Sequence, residues 1–132
     1  MKILVCGGSG FIGSTFIQNL LKNNSESSIS NLDNLSIGSN QENLKDLSNN
    51  SRYKFIQDKI QNESVISDLI KNHDIVVNFA AESHVDRSIS NPKPFVETNV
   101  LGTYSLLEGI RKYDKFFVHV STDEVYGDAR NQ

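Results

Sequence analysis

The stretch Gly7-Gly8-Ser9-Gly10-Phe11-Ile12-Gly13 restricts this chain more than any other feature, because it lies directly between a strand and a helix. Ahead of it, Lys2 to Cys6 is a short, mostly apolar run that reads as a buried strand. Behind it, apolar residues recur at helical spacing from Phe11 to about Asn23. Gly7, Gly10 and Gly13 have the GxxGxxG spacing of a tight strand-to-helix turn without Cβ atoms. Such a turn lets a pyrophosphate approach the backbone, where the amides of Phe11 and Ile12 and the helix dipole receive its charge. The last glycine allows helix and strand to pack closely. Asp33 ends a second strand, 20 residues beyond Gly13. A carboxylate there can accept hydrogen bonds from both ribose hydroxyls of an adenosine and would repel a 2′-phosphate, so the expected cofactor is NAD and not NADP. A glycine triplet alone is weak evidence. Strand, glycines, helix, second strand and acidic residue in this order supply the context that gives it weight.

The alternation continues along the chain. Ile29 to Asp33 reads as the second strand, Gln41 to Leu47 as a short helix and Tyr53 to Gln57 as a third strand. Ser64 to Lys71 follows as a helix, and Asp74 to Phe79 as a central strand buried on both faces. Val96, Val100, Leu101, Tyr104, Leu107 and Ile110 fall at helical spacing, predicting one helix of about five turns from Pro94 to Lys112. Lys115 to Ser121 is a fifth strand. The fold class is therefore α/β: a Rossmann-type doubly wound parallel sheet of about five strands, with ligands at the strand C-termini. Residues 1–132 form one dinucleotide-binding domain. A complete fold of this kind continues past a fifth strand, so the expectation is a fragment of a longer enzyme.

Composition removes other classes. A formal charge of -3 and a pI near 5.5 argue against a nucleic-acid binder, which usually carries a basic face. No apolar run approaches the roughly 18 residues of a membrane span, and Met1 to Val5 runs into glycines instead of a signal-peptide core. Cys6 is the only cysteine, which leaves no internal disulfide and no thiolate metal site, and suits a reducing cytoplasm. Cys6 itself reads as a small buried hydrophobe. His119 is expected in the core and His73 on the surface. His84 reads either as a neighbour of the pyrophosphate or sugar, or as a satisfied loop histidine.

Three further stretches carry a resemblance. Together with Gly7–Gly13 and Asp33, the segments Ala80-Ala81-Glu82-Ser83-His84-Val85-Asp86-Arg87-Ser88-Ile89, Thr98-Asn99-Val100-Leu101-Gly102-Thr103 and Ser121-Thr122-Asp123-Glu124-Val125-Tyr126-Gly127 resemble the extended short-chain dehydrogenases that act on nucleotide sugars. Within them they are similar to the dTDP-glucose 4,6-dehydratases, over almost the whole chain. The STDEVYG segment is the most specific. Related epimerases and decarboxylases lack its Asp-Glu pair, and GDP-mannose dehydratases have Ser where Asp123 stands. UDP-glucose 4,6-dehydratases share it and are the close alternative, with an epimerase fragment or a degenerate, non-catalytic NAD-binding remnant behind them.

The resemblance implies a lyase of deoxysugar or rhamnose precursor synthesis. Such an enzyme uses NAD to oxidise the hexose at C4, eliminates water across C5 and C6, and reduces C6. By matching position, Asp123 is the general acid, Glu124 the general base, and Thr122 hydrogen-bonds the C4 hydroxyl. An adjacent carboxyl pair suits the elimination, because repulsion and desolvation hold the two groups in different protonation states. Phe79, Ala80 and Ala81 line the cofactor, Thr98 contacts it, and Ser83 lies between nicotinamide and sugar. Asn34, Leu35 and Ser36 follow Asp33 around the adenosine, and Ile60 offers its backbone amide. Tyr126 is a packing residue of the VYG turn. The implied partners are a nucleotide sugar and a second copy of the full-length enzyme, paired through the long helix; metal ligands are not expected.

Two departures stand out. Lys59 occupies the position of the family's Asp that bonds the adenine amino group, and lysine cannot accept that bond. Either Asp58 shifts by one residue to substitute, or adenine is held less well. The Tyr-x-x-x-Lys pair that deprotonates the C4 hydroxyl occurs nowhere in the chain, so these 132 residues are expected to bind NAD without turnover.

Overall fold

The computed structural model describes residues 1–127. Five parallel strands, β1 (Lys2–Cys6), β2 (Ser28–Asp33), β3 (Tyr53–Gln57), β4 (Ile75–Asn78) and β5 (Phe116–His119), form one sheet in the order β3-β2-β1-β4-β5. The chain winds outward from β1 through β2 to β3, then crosses back to place β4 on the other side of β1. That reversal opens a crevice at the C-terminal ends of β1 and β4, where doubly wound sheets hold ligands.

Strand β1 is central, paired with β2 on one side and β4 on the other. Its side chains alternate between two cores. Leu4 and Cys6 pack with Leu32, Ile66, Ile70, Val76 and Leu106 beneath α2 (Glu63–Lys71) and α5 (Thr103–Tyr113). Ile3 and Val5 pack with Ile17, Leu21, Ile29, Leu44 and Val77 beneath α1 (Phe11–Asn23) and the 3-10 segment Gln41–Leu47. Leu4 is fully buried, and truncating it to alanine costs about 2–5 kcal/mol for the lost burial and the cavity left behind. Arg52 ties this side together by donating to the carbonyls of Leu21 (2.8 Å) and Asn24 (2.6 Å) at the end of α1. No helix of the described residues is long and apolar enough to cross a membrane.

Several expectations change in detail. The single helix expected over Pro94 to Lys112 is three successive segments: a short turn α4 (Lys93–Phe95), a π-wound stretch Val96–Gly102, and α5. Helical spacing of apolar residues does not distinguish α from π winding over two turns, so the sequence pattern is silent on this. A helix α3 (Val85–Ser90) adds to the expected elements; it buries no residue, and its two apolar side chains, Val85 and Ile89, are exposed and too few to mark a helix by spacing. Phe116, Val118 and His119 are exposed on β5, one of the two edge strands among the described residues, so His119 is not a core residue.

His73 corrects the opposite way and is buried, at 8% exposure. Its Nδ1 donates to the Leu69 carbonyl (2.6 Å), which leaves Nε2 to accept from the Ser30 hydroxyl (2.8 Å). Burial holds its pKa below the ordinary 6.5, with Lys2 and Lys115 adding to the shift and the Leu69 bond and Asp74 opposing it. Cys6 is fully buried as expected, and desolvation pushes its thiol up to about 12.

Candidate functional site

The crevice at the switch point is a cleft of about 460 Å3. Its floor is the glycine turn. Gly7 has φ +74, a left-handed conformation that favours glycine, and a Cβ there would lie 2.5 Å from Ala80 N. A Cβ on Gly13 would strike the Gly7 carbonyl and lie 2.7 Å from Gly8 Cα, so this glycine is required for α1 to seat against the turn. Gly10 differs. A Cβ there would meet only Gly7 O, at 3.5 Å, so the protein's own packing does not demand glycine; the side chain would occupy the cleft that Gly10 lines. The first helical hydrogen bond of α1 runs from Ser14 N to Gly10 O (2.9 Å), which puts the amides of Phe11, Ile12 and Gly13 at the open, positive end of the helix. These features fit a bound pyrophosphate.

Asp33 is 5% exposed and braces the turn from the end of β2. Its Oδ2 accepts from Ser9 N (2.9 Å) and its Oδ1 from Leu35 N (2.8 Å). Each oxygen keeps a further lone pair, and the residue lines the cleft, so ribose hydroxyls can share it. The following loop folds back over the turn: Asn40 N donates to Ser9 O (3.0 Å), Asn43 Nδ2 donates to the same carbonyl (3.0 Å), and Gly10 bridges Ser39. Leu35 takes φ 55 to make this bend, with its amide held by Asp33, and does not line the cleft. Asn34 and Ser36 do line it, with Asn34 Oδ1 accepting from Ser36 N (3.1 Å).

The opposite walls come from β3, β4 and the π-wound stretch. Asp58, Lys59 and Ile60 line the cleft together. Asp58 Oδ1 accepts from Lys59 N (2.7 Å), and Asn62 Nδ2 donates to both carboxylate oxygens, at 3.2 and 3.1 Å. Asp58 is therefore engaged in shaping the entry to α2 while lying on the cleft wall. Phe79, Ala80, Ala81 and Ser83 line the cleft after β4, joined by Glu82 and His84. Asn78, buried at the strand end, turns this loop by accepting from Ala80 N (3.0 Å), and its Nδ2 lies 3.2 Å from His119 Nδ1. Thr98 lines the cleft from the π-wound stretch and accepts from Gln61 Nε2 (3.1 Å).

Thr122 lines the cleft beyond β5, with Val120 and Ser121. Asp123 and Glu124 do not line it; they begin an exposed 3-10 turn, Asp123–Tyr126, on its rim. Hydrogen bonding from Thr122, then from its own backbone amide and from the Asp123 carboxyl, holds the Glu124 carboxyl below its ordinary value. Tyr126, expected to be a packing residue of the VYG turn, is 79% exposed on it. Among the described residues, no group of three or more His, Cys, Asp or Glu side chains is placed to hold a metal ion.

Of the residues singled out from sequence, the cleft gathers Gly7, Gly10, Phe11, Ile12, Gly13, Asp33, Asn34, Ser36, Ile60, Phe79, Ala80, Ala81, Ser83, Thr98 and Thr122. It leaves Leu35, Asp123 and Glu124 outside its lining. Ser9, Gln61, Asn78 and Asn99 shape the site and were not singled out. Asn78 gave a signal, a polar residue closing an apolar strand; Ser9 and Asn99 lie inside motifs that point to their neighbours, and Gln61 gave none.

A parallel sheet in this order, with a glycine turn at its switch point, defines a Rossmann-type α/β domain. The family model for GDP-mannose 4,6 dehydratase matches residues 4–132, and the chain belongs to that family. It is 47% identical to dTDP-glucose 4,6-dehydratase of Escherichia coli, over 97% of this chain and 38% of that protein. It is 45% identical to the low-salt glycan biosynthesis protein Agl12 of Haloferax volcanii, over 99% of this chain and 42% of that protein. The chain thus spans about two fifths of the length of these relatives. Among solved structures it resembles DesIV, a dTDP-glucose 4,6-dehydratase of Streptomyces venezuelae crystallised with NAD bound. That match has a TM-score of 0.90 and 41% identity, over 97% of this chain and 41% of the other.

Proposed function

We propose that this chain is the NAD-binding part of a nucleotide-sugar 4,6-dehydratase acting on dTDP-glucose. The observation that carries the reading is the cleft itself. A glycine turn whose middle glycine lines the cleft, an exposed helix N-terminus and a buried Asp33 stand together at the switch point, in a chain 47% identical to a dTDP-glucose 4,6-dehydratase. The amides of Phe11 and Ile12 would take the pyrophosphate. Asp33, Asn34 and Ser36 would take the adenosine end, with Ile60. Phe79, Ala80, Ala81 and Thr98 would hold the nicotinamide half.

NAD, when bound, supplies hydride acceptance from the hexose C4 and hydride return at C6. The chain's own groups handle protons. Thr122 would orient the C4 hydroxyl, with Ser83 against the sugar. Glu124, whose carboxyl titrates below its ordinary value, would stay ionised and remove the C5 proton. Asp123 would donate its proton to the C6 hydroxyl, which leaves as water. Both carboxyls are exposed on the cleft rim, so the pair requires cover from elsewhere to act on a hexose.

No Tyr-x-x-x-Lys is present in these 132 residues, so we expect cofactor binding without turnover from this chain alone. A polypeptide of the relatives' full length would dehydrate dTDP-glucose as a cytoplasmic homodimer. Calorimetric titration of the chain with NAD and with NADP tests the reading. NAD should bind and NADP should bind much more weakly, because a 2′-phosphate would meet the Asp33 carboxylate. Equal or preferred binding of NADP, or no binding of either, would refute it.

A further inference from the structure

The cleft has two walls from distant parts of the chain, and the π-wound stretch Val96–Gly102 holds both. π winding within a helix re-aims consecutive side chains and recurs at functional sites. Here it directs Thr98 to one wall and Asn99 to the other. Thr98 accepts from Gln61 Nε2 (3.1 Å), which belongs to the wall after β3. Asn99 reaches the wall after β4, where its Oδ1 accepts from Glu82 N (2.8 Å) and its Nδ2 donates to Glu82 O (2.9 Å). The two bonds satisfy both backbone polar groups of one residue, as a neighbouring strand would. Asn99 is not among the residues lining the cleft, whereas Glu82, Ala81 and Ser83 are.

We propose that Asn99 is a positioning residue, whose carboxamide pins the Glu82 peptide and so presets the Ala81–Ser83 wall for the cofactor. The inference rests on the cofactor reading above. Without the clamp, the loop after Ala80 lacks a partner for both polar groups of Glu82 and must be ordered when the ligand binds, which weakens affinity. Two hydrogen bonds at an exposed position are worth about a tenfold change in a binding constant.

The test compares Asn99→Ala and Asn99→Asp with the unaltered chain by NAD titration, amide hydrogen exchange at Glu82 and thermal melting. Asn99→Asp is the informative variant. It fills the same space and keeps the acceptor for Glu82 N–H, but it sets a carboxylate oxygen against the Glu82 carbonyl. The clamp predicts that both variants bind NAD about tenfold more weakly and that Asn99→Ala loses protection at the Glu82 amide, with little change in melting temperature. NAD affinity of Asn99→Asp equal to that of the unaltered chain would make Asn99 a space filler and overturn the proposal. So would unaltered Glu82 protection in Asn99→Ala. If the unaltered chain itself fails to bind NAD, the cofactor reading falls and takes the purpose of the clamp with it; equal NAD binding in all three proteins overturns the clamp alone.

Discussion

Replacing Asp33 by alanine separates two roles that coincide in this residue, holding a ribose and holding the turn together. In the absence of any ligand, its two oxygens already accept from Ser9 N and Leu35 N, at 2.9 and 2.8 Å. Ser9 is fully buried, so its amide has no water to turn to once the carboxylate is gone. A hydrogen bond to a charged group contributes about 1.5–3 kcal/mol, and two of them set an upper figure of about 3–6 kcal/mol. Removing a carboxylate from a 5%-exposed site also recovers its desolvation cost, which brings the expected net loss to about 3 kcal/mol. With a urea m-value of about 2 kcal/mol per M for a domain of this size, the unfolding midpoint should fall by about 1.5 M. Asp33→Asn should do little better, because its amide nitrogen must face one of the two N–H donors. Equilibrium urea unfolding of the ligand-free proteins measures this. A midpoint for Asp33→Ala within about 0.3 M of the unaltered chain would show that the carboxylate does not brace the turn, and would refute the reasoning.

Gly13→Ala should unfold or severely destabilise the chain, because its Cβ meets the backbone of Gly7 and Gly8; Gly10→Ala should melt near the unaltered chain yet lose NAD binding, as thermal melts and titration of both would record. His73 should make stability depend on pH. Its folded pKa lies below 6.5, so the unfolded state binds more protons; the contribution is fully present above pH 6.5 and is lost as pH falls through the lower folded value. His73→Gln should flatten that slope in urea midpoints measured across the acid range. The Cys6 thiol, buried and raised to about 12, should resist a chromogenic disulfide reagent at pH 8 in the folded chain and react at once in denaturant.

The parts of the fold legible in the sequence are those in which local pattern and tertiary environment agree. Strand β1 is apolar on both faces because it is the middle of the sheet, and the glycine turn is legible because backbone geometry leaves few substitutes at Gly7 and Gly13. The π winding of Val96–Gly102 escaped, since a shift of one residue per turn leaves the apolar spacing nearly intact. His73 escaped because its burial depends on Ser30, 43 residues away, and His119 because strand order alone decides whether β5 is an edge. At the site, residues that face the cleft were readable from motif, whereas residues that hold those in place were not. Asn99 lies inside a motif that was read, yet the target of its carboxamide is a backbone 17 residues distant, which no spacing rule encodes.

The claim on which the account depends is that a dinucleotide lies across the switch point with its pyrophosphate on the first turn of α1. Amide chemical-shift mapping of the isotopically labelled chain during an NAD titration tests this most directly. The account predicts the largest shifts at Phe11, Ile12 and Gly13, accompanying shifts from Asn34 to Ser36 and from Ala80 to Ser83, and none on the α2–α5 surface around Ser67 and Tyr113. Shifts confined to that surface, or saturation by NAD with the Phe11 and Ile12 amides unmoved, would contradict it.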